Sequence, residues 1–288
     1  MVVQKRFRLS AAIICVVLTL FAFICLYPVL YVLSMSFSGE EHLILRDVYF
    51  FPKGFTFDSY ALLFDTSEIW RAYLNTIRYT VLGTFVGMAA TLTLAYAVSQ
   101  KRFRGRKIVV WSVMVTMLFS GGMVPTYILV QGLGLMNTPW AIVLPGAVNA
   151  WNMIVARTYF MTISPSIFES ASIDGASEFR KFRTIALPLS KPIVAVLFMY
   201  LIVGFWNTYF TSMIYLNDVT LQPIQNYLQK LLDSGDSSGN ASGASSSAIA
   251  VEKLKYAAIV ITMFPIMMIY PFVQKFFVYG IMVGSVKE

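Results

Sequence analysis

Two sets of residues in this 288-residue chain carry chemistry that packing alone does not require. The first is a polar run, Glu169-Ser170-Ala171-Ser172-Ile173-Asp174-Gly175-Ala176, which leads through Ser177 to Thr184 into Ile185-Ala186-Leu187-Pro188. Its chemistry is that of docking rather than of bond breaking. Ser166-Ile167-Phe168-Glu169 reads as a capping box with Pro165 in the first turn, which predicts a helix starting there. Ala171, Ser172 and Ala176 keep that helix slim enough to enter a groove on another protein. Gly175 permits a backbone turn that a Cβ would oppose. A second short helix is predicted to carry Phe179, Phe182 and Ala186 on one side, with Arg180, Lys181 and Arg183 around the other. Pro188 and Pro192 then stop it.

The second set comprises polar and aromatic residues inside apolar runs: Arg78, Asn149, Trp151, Asn152, Trp206, Asn207 and Tyr209. Amides bond hydroxyls, and the ring faces of Trp and Tyr pack against the C–H surface of a sugar, so these are candidate contacts along a solute path. The competing reading for the asparagines is that their amides join neighbouring helices. For Arg78 it is that the guanidinium snorkels to the membrane surface.

Catalytic chemistry finds no residues to carry it. The chain has neither a Gly-x-x-x-x-Gly-Lys-Ser/Thr phosphate loop nor a nucleophile elbow. His42 is its one histidine, which leaves no catalytic triad and no cluster with metal-ligand spacing. Cys15 and Cys25 would sit about 15 Å apart on one helix, too far to bridge.

The elements that must position the two sets follow from composition. With 58% hydrophobic and 12% charged residues and a mean hydropathy of +0.70, the chain is no soluble domain, in which about 25% of residues are charged. An all-α, polytopic membrane protein is predicted, a single transmembrane domain with six spans at about 11–34, 73–98, 108–130, 139–159, 193–216 and 255–278. The first run is too long for the apolar region of a signal peptide and lacks a convincing cleavage site. Pro265 and Pro271 are expected to bend the sixth span. Residues 234–247, rich in Gly and Ser, are expected to form a flexible outer loop. The polar run falls in a loop over 160–192. Of the 22 Lys and Arg residues, fifteen lie on the side holding both termini, that loop and the knot Lys101-Arg102-Phe103-Arg104-Gly105-Arg106-Lys107; six lie on the other. The positive-inside rule makes the richer side cytoplasmic. The net charge of +8 is therefore a topology signal and not a nucleic-acid footprint.

Glu169-x-Ala171-x-x-Asp174-Gly175-Ala176, with Ile185-x-Leu187-Pro188 further on, resembles the EAA loop of ABC-importer permeases, departing at Ser170, where that family usually has Ala. The closing run from Gln274 to Lys287 is similar to the tail of the second permease of carbohydrate-type (maltose-type) importers, and within that family the chain is most like the LplC/YtcP group, associated with oligosaccharides from complex polysaccharides. The resemblance implies a type I importer fold in a bacterial cytoplasmic membrane. It implies that Glu169, Ala171, Asp174, Gly175, Ala176, Leu187 and Pro188 couple to an ATPase, and that Gly280, Gly284 and Lys287 reach the ATPase dimer. The implied partners are a second permease subunit, two cytoplasmic ATPase subunits holding ATP and Mg, and an extracytoplasmic solute-binding protein that delivers an oligosaccharide. No cofactor is expected on this chain. The alternative, an ATP-independent secondary transporter or channel, would call for an ionisable carboxylate inside a span, and every Asp and Glu falls outside the predicted spans.

Overall fold

The computed structural model describes residues 3–45, 47–238 and 246–285, and side chains are described from 10 to 234 and from 251 to 274, Arg46 and Val273 apart. The described residues contain helices and no strand. In chain order the helices are α1 Val3–Ser36, α2 Glu40–Leu45, α3 Asp58–Asp65, α4 Ser67–Ser99, α5 Arg106–Leu118, α6 Met123–Gly132, α7 Pro139–Gly146, α8 Ala150–Phe160, α9 Pro165–Ile173, α10 Glu178–Lys181, α11 Leu187–Leu189, α12 Lys191–Trp206, α13 Phe210–Tyr215, α14 Ile224–Ser238 and α15 Ser246–Ser285.

Among the described residues, three helical stretches are long and apolar enough to cross a membrane: Ser10–Ser36, Ser67–Ser99 and Val251–Phe272. The other three predicted spans are not continuous helices. The run 108–130 breaks at Ser120-Gly121-Gly122, with Gly122 at φ +86°. The run 139–159 breaks after Pro145-Gly146, and Asn149 restarts it as the N-cap of α8, its Oδ1 accepting from the Asn152 N–H at 3.1 Å. The run 193–216 breaks at Asn207-Thr208-Tyr209. Glycine, proline and side-chain caps end helices even in apolar sequence, so hydropathy alone overstated their continuity. Backbone broken at membrane depth is tolerated only where protein or water covers it. Pro265 and Pro271 both lie inside the continuous α15. The expected outer loop is shorter than 234–247, because α14 runs to Ser238 and α15 begins at Ser246; residues 239–245 lie outside the described set.

The chain divides into two compact units. One comprises Met1–Ile69 and Tyr227–Phe264. Its core is Met35, Leu43 and Val48, with Tyr31 and Tyr256 packed against them. The Ser36 hydroxyl lies 2.8 Å from that of Tyr60, and the Lys253 ammonium sits 3.6 Å from Glu40 and 4.0 Å from Asp58. In contrast, the apolar side chains of α1 from Ile13 to Ile24 are more than half exposed within this chain, as befits a surface that meets lipid.

The other unit comprises Trp70–Asn226 and Pro265–Glu288. Here α4 packs on α12 through glycine. A Cβ built on Gly83 would lie 2.6 Å from the ring of Phe205, and one on Gly87 would lie 3.1 Å from the methyls of Leu201. Glycines four apart let a large side chain approach the helix backbone, the packing mode of membrane helices, where small residues replace a hydrophobic drive. A second core gathers Tyr96, Phe160, Phe182, Ala186 and Leu197 where α4, α8 and α12 meet the polar run.

Candidate functional site: the coupling segment

The polar run folds as predicted in outline and differs in its details. Helix α9 starts at Pro165, one residue after Ser164, so its cap lies two residues before the predicted one, and Ser164 makes no side-chain cap bond. Proline is at home in that first turn because its missing N–H would have no partner there. The helix closes on Gly175 at φ +73°. There the Ala176 N–H donates to the Ala171 carbonyl at 2.9 Å, and the Gly175 N–H donates to Ser172 at 3.1 Å. These two bonds form a Schellman motif, in which glycine takes the left-handed position without a Cβ penalty. Asp174, Gly175 and Ala176 are thus a rigid helix stop, held by backbone bonds.

After the turn, Ser177 caps α10, accepting from the Arg180 N–H at 3.3 Å. Residues Phe182–Ala186 then form a π-helical turn. Leu187-Pro188 lie in the short α11, and the path bends by 87° between the segment Glu178–Leu189 and α12. Two side chains fall on the other side from the one their spacing predicted. Phe179 is 70% exposed, and Lys181 is buried. Lys181 turns inward because Glu178 receives it: Nζ donates to Oε1 at 2.8 Å. Burying a charge demands a partner, and the i,i+3 spacing supplies one. Tyr96, at the end of α4, donates its hydroxyl to the other oxygen of Glu178 at 3.2 Å. The Tyr96 ring lies 5.1 Å from Phe182, 6.0 Å from Phe160 and 6.2 Å from Phe168. The Lys181 ammonium holds the Glu178 carboxyl below the usual glutamate range, with burial opposing it.

Helix α9 therefore has two distinct sides. Pro165, Phe168, Glu169 and Ser172 recur at helical spacing and face a cavity toward the rest of this unit. Ile167, Ser170 and Asp174 lie opposite. At the tip stands Ile173, 87% exposed and more so than any other large apolar side chain among the described residues. Sequence reasoning passed over Ile173; the signal was an isoleucine set in a charged loop immediately before Asp-Gly. Ser170, in place of the usual Ala, turns its hydroxyl back onto the Ile167 carbonyl at 3.0 Å, which leaves the helix slim.

The residues read as a solute path are not brought into one cluster. Asn149 is a helix cap, Trp151 is exposed, and Asn152 is buried. Trp206 is 4% exposed and stands edge-on to Tyr73 with ring centres 5.7 Å apart, so it packs inside the unit. Asn207 ends α12, donating to the Val203 carbonyl at 3.0 Å while its Oδ1 accepts from Gln225 at 3.3 Å. The Tyr209 hydroxyl contacts Met213 Sδ at 3.3 Å. Arg78 is exposed on α4, on the helix stripe of Arg71 and Asn75. The amide of Asn75 is already bonded to the Thr220 carbonyl at 2.8 Å. In the tail, Gly280 and Gly284 lie in the last part of α15, and Lys287 lies outside the described residues.

Comparison with known proteins shows the family. The family described as binding-protein-dependent transport system inner membrane component matches residues 80–282. The chain is 40% identical over 265 residues to Protein LplC of Bacillus subtilis (strain 168), covering 92% of this chain and 90% of that one. It is 38% identical over 272 residues to the polygalacturonan/rhamnogalacturonan transport system permease protein YtcP of the same organism, covering 94% and 95%. A solved structure of a bacterial ABC transporter involved in the import of the acidic polysaccharide alginate contains a chain 32% identical to it, with a TM-score of 0.84 over 94% of this chain and 97% of that one. The present chain belongs to the family of binding-protein-dependent transport system inner membrane components.

Proposed function

We propose that this chain is one of two membrane subunits of an importer for oligosaccharides cut from complex polysaccharides. A sister permease completes the path, an extracytoplasmic binding protein delivers the sugar, and two cytoplasmic ATPase subunits supply the energy. The observation that carries this reading is the α9 turn: a slim helix closed by Gly175, with Ile173 uncovered at its tip, its Phe168 ring against Tyr96 of α4, and the following α10 tied to α4 through Glu178 and Tyr96. An ATPase cleft that takes the tip can push the segment as one body, because a Schellman stop, the ion pair between the buried Lys181 and Glu178, and an aromatic cluster oppose bending. The push passes to α12 through the 87° corner and to α4 through Tyr96. Rocking of packed helices around a fixed path is then alternating access.

The sugar class rests on the relatives, which are named for polygalacturonan, rhamnogalacturonan and alginate transport. Both termini and the segment 160–192 are placed in the cytoplasm by the positive-inside rule. Co-purification with its genomic neighbours, followed by uptake assays in liposomes, tests the reading. A stable complex with an ATPase that takes up pectic or alginate oligosaccharides only with ATP is the expected result. Uptake by this chain alone, without ATP, would refute it.

A further inference from the structure

We infer that an anionic phospholipid occupies the cavity between α9 and the basic knot, with an acyl chain inside and its phosphate on Lys101 and Arg102. The cavity holds about 800 Å³, within the range of ligand sites. Its walls carry the rings of Tyr96, Phe160, Phe168 and Phe182, and its mouth carries Lys101 and Arg102. Such a site matches an amphipathic ligand, apolar at depth and anionic at the rim.

Three further observations favour a lipid. The cavity lies where α4 and α8 end, at Ser99 and Phe160, which is the level at which a spanning helix meets headgroups. Lys101 and Arg102 are exposed and make no salt bridge among the described residues, whereas the nearby Lys181 is already held by Glu178. Of the two carboxylates in the lining, Glu178 is bonded to Lys181 and Tyr96 and also feels the Arg102 charge, so that it and Glu169 only partly offset the two cations. Arg104, Arg106 and Lys107 add to the positive field. Basic pockets beside spanning helices on the cytoplasmic side attract anionic headgroups, since that leaflet carries the negative charge. The site is separate from the outward side of α9, where Ile173 stands uncovered. A bound chain would press on Phe168 and so brace the docking helix from within, making the coupling segment responsive to lipid charge.

The test uses the complete importer, purified with its partner subunits from vesicles of equal phosphatidylglycerol and phosphatidylcholine. Retained lipid is counted by native mass spectrometry. The wild type should keep phosphatidylglycerol in preference to phosphatidylcholine. Lys101→Gln/Arg102→Gln should retain about thirtyfold less, the factor expected from two juxtamembrane cations. Ala97→Trp, which fills the cavity wall with the cations intact, should lose the lipid equally. Undiminished phosphatidylglycerol in either variant would overturn the proposal, the second by showing that phosphate binds the surface knot alone. Should a variant fail to assemble, wild-type importer treated with photoreactive phosphatidylglycerol decides. Cross-links at residues 96–103 and 160–168 uphold the site, and cross-links only elsewhere refute it.

Discussion

The Tyr96 hydroxyl donates to one oxygen of Glu178 at 3.2 Å while Lys181 donates to the other at 2.8 Å. A single carboxylate thereby ties the end of α4 to the segment that follows the α9 turn. Lys181 holds the Glu178 carboxyl below the ordinary glutamate range. A depressed carboxylate stabilises the fold at pH above its unfolded value and loses that contribution as pH falls through the lower folded value. Wild type should therefore exceed Glu178→Gln in melting temperature at neutral pH, and the gap should narrow in acid, below about pH 4. Glu178 is largely exposed, so the gap should be small. A gap that is constant with pH would show that the charge of Glu178 is not what binds the segment.

Ile173 and Gly175 test docking. Ile173→Asp leaves a fully open position chemically altered without touching any core, so the permease pair should still assemble and melt normally. Its stimulated ATP hydrolysis should fall at least tenfold, because an apolar anchor becomes a charge. A Cβ added at Gly175 would meet nothing within 4 Å, and the residue's φ is +73°, so the cost of substitution is purely conformational. Gly175→Asn should be tolerated, Gly175→Ala should cost about 1 kcal/mol, and Gly175→Val more. Equal activity in the three variants would remove the turn from the mechanism.

Gly83 is the packing test. A methyl group there would meet the Phe205 ring at 2.6 Å, and overpacking of this kind costs roughly 1–3 kcal/mol. Gly83→Ala should lower the melting temperature of the assembled importer, and the added change Phe205→Leu should recover part of the loss. No recovery would mean that the strain lies elsewhere.

Lys253 is nearly buried, whereas its partners Glu40 and Asp58 are 52% and 70% exposed at the side chain. The two sides of this interaction should respond unequally. Lys253→Met leaves carboxylates that water can solvate, while Glu40→Gln/Asp58→Asn leaves a buried ammonium without a counter-charge. The double change should destabilise more than the single one in thermal melts. The reverse order would show that the carboxylates do not compensate the amine.

Asn207→Ala removes the amide that bonds Val203 and accepts from Gln225. A loss of about 0.6 kcal/mol, typical of a membrane hydrogen bond, is expected, with uptake falling in proportion. Lost uptake at an unchanged melting temperature would instead place Asn207 on the solute path.

Much of this protein was legible in its residues. Apolar runs must avoid water whatever the tertiary arrangement, so composition alone made the chain a helical membrane protein. Asp174-Gly175-Ala176 carried its turn because only glycine takes a positive φ without penalty, and φ +73° is a local property. Other features depended on partners distant in sequence. Lys181 spaces like a solvent-facing cation, yet it is buried and held by Glu178, which Tyr96 of α4 bonds in turn. Asn149 and Trp206 have the chemistry of sugar contacts, but one caps α8 and the other stands against Tyr73. Gly83 gave no signal until Phe205 was brought onto it. Hydropathy saw each apolar run as one span because it sums transfer energy and is blind to backbone hydrogen bonds. The breaks at Gly122, Asn149 and Asn207 are set by capping and by neighbours that only the folded chain supplies.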